Sequence, residues 1–188
     1  MTLDRTTTRR TGVPMRWTTR LGAALTAVTL AGTVPTAPAA AAGRPTGGWV
    51  PAPQEEFTLP AGARCAFGIR VAAEVDEVRK LVLTTDPDGS PRRELYTGAL
   101  IETVTNTDTG VVTRVDASGT SLVSYAADGT MTWYVTGPVL LGFRDDAGSL
   151  PKGLWLIDGQ FVVRFTADYD KTVTMLHGTT HNVCDDLD

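Results

Sequence analysis

The stretch MTWYVTGPVLLGF, residues 131–143, decides the fold class because apolar and polar side chains alternate along it. Its odd-numbered positions are Met131, Trp133, Val135, Gly137, Val139, Leu141 and Phe143. The other face of the stretch begins with Thr132, Tyr134 and Thr136. A period of two residues predicts a half-buried β-strand. Because proline cannot donate to a strand ladder, we expect a bulge or a bend at Pro138.

The same alternation continues on both sides of this stretch, and no long segment has a helical period. Further strands are predicted over 67–74, 77–84, 93–105, 111–117, 120–126, 161–166 and 172–177. Turn residues separate them, with Asp128-Gly129 and Asp158-Gly159 as the strongest hairpin signals. The sequence therefore predicts an all-β antiparallel fold. We expect an up-and-down barrel of about eight strands, since closure removes exposed edges, and a two-sheet β-sandwich is the alternative.

The N-terminal part has the order of a secretory signal peptide. Residues 1–20 contain five arginines and one acid, residues 21–34 are apolar, and residues 35–43 are small. Cleavage is expected after Ala40, Ala41 or Ala42. The alternative is a membrane anchor, but fourteen apolar residues are few for a helix crossing about 30 Å of hydrocarbon.

We therefore divide the chain into a signal peptide (1–42), a flexible Gly- and Pro-rich lead-in (43–56) and a single antiparallel β domain (57–188). The protein is expected to be secreted and extracellular, with no stable membrane anchor after cleavage.

Composition and charge exclude several classes of protein. The 188 residues are 42% hydrophobic and 20% charged, which excludes wholesale disorder and fibrous chains. Removing residues 1–42 leaves 12 basic and 20 acidic residues, a net charge of −8. A chain of this charge is not expected to bind nucleic acid.

Two cysteines allow only one intramolecular pairing, Cys65 with Cys184. An exported chain meets an oxidising environment, so we expect a disulfide between them. The alternative is a pair of buried free thiols. A disulfide requires the two Cα atoms to lie about 4.4–6.8 Å apart, which brings the two ends of the β domain together.

The chain carries few residues with recognisable catalytic spacing. There is no G-x-S-x-G elbow, and both cysteines are assigned to the disulfide. His177 and His181 lie four residues apart on a predicted strand, a separation of roughly 13 Å and too far to share one zinc ion unless the chain bends at Gly178. We therefore predict no catalytic residue, no metal and no cofactor. One possibility stays open, that carboxylates among Glu74, Glu77, Glu94 and Glu102 meet in space.

Four residues are the candidate ligand contacts. Tyr134 and Trp155 are predicted on the strand face opposite their apolar neighbours. Arg144 and Lys152 flank the longest irregular connection, residues 144–153 (RDDAGSLPKG). Loops on a rigid scaffold commonly carry binding residues. We expect Tyr134 and Trp155 to be exposed contacts at the mouth of a barrel, and Arg144 and Lys152 to orient an anionic group of the ligand.

Four segments carry a resemblance to known sequences. They are TLPAGARCAF (58–67), GPVLLGF (137–143), LPKGLWLIDGQFVVRF (150–165) and HGTTHNVCDDL (177–187). In these segments the chain resembles small exported proteins of high-GC Gram-positive bacteria that have no assigned function. The resemblance implies secretion and a cysteine pair, and it implies no catalytic residue.

Three hypotheses for the function follow. The first is a secreted non-catalytic β-barrel binding module, whose partner is a small apolar or sugar ligand, a cell-envelope component or an extracellular protein. The second is a secreted hydrolase or a barrel-type cyclase or isomerase that uses carboxylates or His177 in a cavity. The third is an interaction domain acting through loop 144–153. A cavity of several hundred Å³ that opens near Trp155 and Arg144 favours a small ligand, and a barrel filled with side chains excludes one. Ionisable side chains inside a cavity are required for an enzyme.

Overall fold

The structure is a computed structural model that describes residues 47–145 and 148–188. The predicted signal peptide and the first residues of the predicted lead-in lie outside these ranges. The strands are β1 (Val50–Pro51), β2 (Phe57–Leu59), β3 (Ile69–Asp76), β4 (Arg79–Thr85), β5 (Pro91–Thr97), β6 (Leu100–Asn106), β7 (Val112–Asp116), β8 (Thr120–Tyr125), β9 (Met131–Thr136), β10 (Val139–Phe143), β11 (Gly153–Phe165) and β12 (Lys171–Asn182), followed by a 3-10 helix at Val183–Asp186. None of the described helices is long and apolar enough to span a membrane.

These strands form two antiparallel sheets, which confirms the all-β antiparallel class. In the larger sheet the order is β1, β4, β5, β8, β9 and β11. One edge of β11 pairs with β9 and then with β10, and its other edge pairs with β12. The smaller sheet has the order β2, β3, β6 and β7.

Within the described residues neither sheet closes on itself. The predicted closed barrel is therefore not confirmed, and the two open sheets agree with the alternative architecture. The reason is that the chain passes from one sheet to the other at three places, between β3 and β4, between β5 and β6, and between β7 and β8. At each place only two or three residues separate a strand of the smaller sheet from a strand of the larger sheet. The pairing is thus divided between two sheets instead of running around one.

Glycine allows two of the bends that this arrangement requires. The predicted strand over 93–105 is interrupted at Gly98, whose φ of 138° is accessible to few other residues. A Cβ atom at Gly98 would lie 2.8 Å from the Cα of Val78. At Gly159 the prediction of a hairpin turn is wrong, because β11 continues through Asp158-Gly159. Gly159 has a φ of 137° and lies opposite Gly178, next to a bulge between Gln160 and Phe161. The strand bends there without reversing.

The buried apolar side chains form two clusters. One joins the smaller sheet to β11 and to the C-terminal segment, through Ile69, Val71, Val104, Val115, Leu154 and Leu187. The other lies on one face of the larger sheet, over β9, β10 and β11, and includes Val135, Phe143, Ile157, Phe161 and Val163. Because successive side chains of a strand point to opposite faces, Leu154 and Ile157 of β11 contribute to different clusters.

The predicted disulfide is confirmed. Cys65 and Cys184 are bonded, with their Cα atoms 5.5 Å apart. Cys65 precedes β3 and Cys184 belongs to the 3-10 helix, so the bond joins two segments outside the strands. A second tie lies nearby, where the side-chain amide of Asn106 donates to the carbonyl of Leu187 at 3.0 Å. Two residues of the predicted lead-in form β1, which pairs with β4.

Replacing both cysteines, with Cys65→Ser and Cys184→Ser, should lower the free energy of unfolding by about 2–5 kcal/mol. The disulfide spans 119 residues of sequence, so its loss restores much chain entropy to the unfolded state. Urea unfolding followed by tryptophan fluorescence measures the change, with the oxidised wild type as the control. An unchanged midpoint and slope in the double variant would contradict a stabilising role for this bond.

Candidate ligand-binding cavity

Two cavities, each partly open to solvent, adjoin in the β domain. One has a volume of about 450 Å³ and the other of about 570 Å³. They share five lining residues, Gln54, Leu100, Ala117, Trp133 and Val139. We name the first the cationic cavity, because Arg64 and Lys171 line it, and the second the tyrosine cavity, because Tyr96 and Tyr125 line it. Volumes of this size are typical of small-molecule sites.

Strand pairing explains why these side chains converge. Direct cross-strand partners point to the same face of a sheet. One such row across the larger sheet contains Glu94, Val123, Trp133 and Val163. The next row contains Lys80, Tyr96, Ser121 and Val135. Leu100 and Ala117 lie where strands pass between the sheets, so they border both cavities.

A buried carboxylate organises the wall of the tyrosine cavity. The side chain of Glu94 is only 2% exposed. The hydroxyl groups of Tyr96 and Tyr125 each donate to its Oε2 atom at 2.7 Å. The ammonium group of Lys80 lies 3.0 Å from its Oε1 atom. Glu94 thus holds in place three side chains that line the cavity.

These contacts determine which of the four side chains are charged at neutral pH. Burial alone would raise the pKa of Glu94, but the hydrogen bonds from Tyr96 and Tyr125 and the charge of Lys80 outweigh it, and the pKa lies below its usual value of 4.5. Burial and the hydrogen bond to Glu94 raise the pKa of Tyr96. The pKa of Tyr125 is raised by burial and by its hydrogen bonds to Tyr96 and Glu94. The hydrogen bond to Glu94 raises the pKa of Lys80. At neutral pH the wall therefore carries an ion pair and two protonated phenols.

The shared wall has an unused hydrogen-bond donor. The indole nitrogen of Trp133 is buried and has no hydrogen-bond partner among the described residues. Its ring packs on Phe165, with the ring centroids 4.7 Å apart. A buried donor without a partner costs about 1–3 kcal/mol.

The cationic cavity has a second buried carboxylate. Glu102 lies on β6 and borders this cavity. Burial, and then the charge of Asp76, raise the pKa of Glu102. Glu94 and Glu102 are thus the two carboxylates, of the four left open by the sequence, that reach the interior. Glu74 instead pairs with Arg114 at 2.8 Å on the surface.

The four ligand contacts predicted from the sequence lie elsewhere. Tyr134 is 52% exposed, and Arg144 pairs with Asp170 at 2.7 Å. Lys152 lies 3.2 Å from Asp145, and the indole of Trp155 donates to the carbonyl of Pro151 at 3.0 Å. Trp155 also packs against the apolar cluster of the larger sheet. None of these four residues lines either of the two cavities, and their role as ligand contacts stays a prediction.

No protein-family model, curated protein or solved structure matches this chain. The assignment of a function therefore depends on the cavities and their lining.

Replacing the buried carboxylate, with Glu94→Gln, should lower the free energy of unfolding by about 1–3 kcal/mol at pH 7. The substitution removes the negative charge that faces the ammonium of Lys80 and replaces one acceptor oxygen with a donor nitrogen. Because the pKa of Glu94 is lowered on folding, its charge stabilises the protein above pH 4.5 and this contribution is lost as the pH falls through the lowered pKa. The difference between wild type and variant should therefore shrink at acid pH.

Chemical unfolding at pH 7 and at pH 3 measures this difference. Glu74→Gln is the matched control, since its ion pair with Arg114 is about half exposed and worth less than about 1 kcal/mol. Equal effects of the two substitutions, or a deficit of Glu94→Gln that grows as the pH falls, would contradict the network described above.

Proposed function

We propose that the mature chain is a secreted, non-catalytic binding module that holds a small amphiphilic molecule in the two adjoining cavities. The proposal includes the finer architecture, in which the two sheets together form an incompletely closed barrel around this interior. It also includes export by the N-terminal segment, as expected from the sequence and from the resemblance to exported proteins.

The cavities are the observation that carries this proposal. Their lining is mainly apolar, with Leu100, Val139 and Trp133 at the centre and charged or phenolic groups at the two ends. A mainly apolar pocket with a few placed polar groups is the usual form of a small-molecule site. This lining favours an amphiphile over a sugar, because a sugar needs polar partners along its whole length.

The disulfide supports the extracellular location. Bonds of this kind persist in oxidising compartments and are rare in the cytosol. The described residues also contain no free cysteine. A binding module that is exposed to a variable environment gains from such a bond, which limits unfolding after export.

A second candidate function is a cyclase or an isomerase acting inside the same cavities. The observation that favours it is the pair of buried carboxylates, Glu94 and Glu102, behind or beside the cavity walls. Acid–base catalysis requires an acid and a base within reach of one site. His177 is exposed on β12 and lines neither cavity, so this candidate uses the carboxylates alone.

Identifying the compounds that copurify with the wild type and with Glu102→Gln distinguishes the two functions. An isomerase would yield different compounds of equal mass from the wild type and from Glu102→Gln, whereas a binding module would yield the same compound from both.

Filling the shared wall tests the binding proposal. Ala117 borders both cavities and is 6% exposed, so Ala117→Leu places three further carbon atoms in the space for a ligand. The wild type should bind the apolar dye N-phenyl-1-naphthylamine saturably, and Ala117→Leu should weaken this binding at least about tenfold, or about 1.4 kcal/mol. Dye fluorescence during titration measures the affinity.

Ala127→Leu is the matched control, because Ala127 is exposed in the turn between β8 and β9. It should bind the dye as the wild type does. Near-ultraviolet circular dichroism verifies that both variants are folded. Equal dye affinity of the two folded variants would show that the dye binds elsewhere and would count against the proposed site.

A further inference from the structure

The cationic cavity has two cations that come from distant parts of the chain. Arg64 precedes the disulfide residue Cys65, and Lys171 is the first residue of β12. The guanidinium of Arg64 lies over the backbone of Gly142, where a Cβ atom would be 2.6 Å from its Nε atom. The ammonium of Lys171 lies 5.8 Å from the ring centroid of Phe143 and 5.6 Å from that of Phe165. Both cations border the same mainly apolar space.

These two cations have unused hydrogen-bonding capacity. Arg64 donates from Nη1 to the carbonyl of Ala63 at 2.6 Å, while its buried Nε atom has no partner in residues 47–145 and 148–188. Lys171 donates to the carbonyl of Tyr169 at 3.3 Å. Within the same ranges neither residue has a carboxylate within 4.0 Å. A charged donor in a partly buried site is stabilised by an anionic acceptor.

The positively charged side chains at this end of the cationic cavity also repel one another. Burial lowers the pKa of Lys171, and the guanidinium groups of Arg64 and Arg144 lower it further, against the opposing effect of Asp170. Burial and Arg144 lower the pKa of Arg64. Three cations therefore converge at this end of the cavity, and Asp170 pairs with Arg144. An added negative charge would relieve the repulsion that remains.

The acids that border the same cavity are separate from this group. Glu55 is exposed. Glu102 is influenced by burial and by Asp76, and its pKa is raised, which favours its uncharged form. The charges that act on Arg64 and Lys171 are those of the other cations and Asp170. The cavity thus has a cationic end, while Leu59, Leu140, Leu141 and Leu154 provide apolar surface.

We propose that Arg64 and Lys171 bind the carboxylate head group of an amphiphilic ligand whose apolar body extends past Leu100 and Trp133. This inference rests on the proposed function and specifies the class of ligand, an organic monocarboxylate with an aliphatic body. The planar guanidinium of Arg64 matches the two oxygens of a carboxylate, and the ammonium of Lys171 supplies a second charge. The body of the ligand replaces water against the apolar wall.

Isothermal titration calorimetry with three probes of equal chain length tests the inference. The probes are decanoate, 1-decanol and decyltrimethylammonium, each below its micelle concentration. Decanoate should bind at least about tenfold more tightly than 1-decanol, since a hydrogen bond to a charged group is worth more than one to a neutral group. Decyltrimethylammonium should bind least tightly, because it brings a fourth positive charge to the site.

Charge-removing variants locate the head group. Arg64→Gln and Lys171→Gln should each weaken decanoate binding about tenfold and should leave 1-decanol binding within about twofold. Lys171→Arg should retain the decanoate affinity, because it keeps the charge. Arg114→Gln is the matched control for the change in net charge, since Arg114 lines neither of the two cavities. If only one of the two glutamine variants is folded, that variant decides the outcome.

Three results would overturn the inference. The first is equal affinity for decanoate and 1-decanol in the wild type. The second is undiminished decanoate binding in folded Arg64→Gln and Lys171→Gln. The third is loss of decanoate binding in Lys80→Gln alone, which would place the head group in the tyrosine cavity. In each of these cases the proposed function stands if 1-decanol binds, whereas failure of all three probes and of the apolar dye would overturn both proposals.

Discussion

The disulfide between Cys65 and Cys184 is the constraint on which the remaining structure depends. It fixes the loop before β3 to the 3-10 helix after β12, across 119 residues of sequence. Three features follow from this one bond. Val183, Cys184 and Leu187 cover the apolar face of the smaller sheet, Asn106 finds its acceptor in the carbonyl of Leu187, and Arg64 is held beside β10 by its neighbour in the chain. The bond therefore positions the cationic end of the cavity as well as stabilising the fold.

The space inside the domain follows from the way the strands change sheet. Where β5 passes into β6 and β7 passes into β8, Gly98, Ala117 and Gly119 line the tyrosine cavity. The two adjoining cavities, of about 450 and 570 Å³, are partly open to solvent and lie beside the buried carboxylates. The carboxylate of Glu94 is costly to bury, and the two tyrosine hydroxyls that donate to its Oε2 atom offset part of that cost. The conjunction of unfilled apolar space and organised polar groups favours a ligand site over imperfect packing.

Local patterns in the sequence predict the strands but not the cavity. Alternation over 131–143 predicts β9 and β10, and Gly137-Pro138 marks the interruption between them. The same reasoning fails at Asp158-Gly159, because a dipeptide that suits a turn also suits a bend when another glycine, Gly178, lies across the strand pair. Closure into a barrel is the expectation from the sequence because it removes strand edges. No local pattern indicates that the chain passes from one sheet to the other at three places.

The lining residues come from at least eight segments of the chain, so only the folded structure brings them together. One signal lies in the sequence, since the period of two places Glu94 and Tyr96 on the same face of β5, and Glu94 is among the carboxylates that the sequence leaves open. The alternation predicts Tyr134 and Trp155 on the face opposite their apolar neighbours, whereas Trp155 packs against the apolar cluster of the larger sheet.

The central claim is that the interior of this domain is a ligand site and not a filled core. A high-resolution crystal structure of the protein purified from culture fluid, with its disulfide intact, tests the claim most directly. We predict continuous, elongated electron density running past Trp133, Val139 and Leu100, with its polar end within hydrogen-bond distance of Arg64. Side chains that close over this space and leave no volume larger than a water molecule would contradict the account.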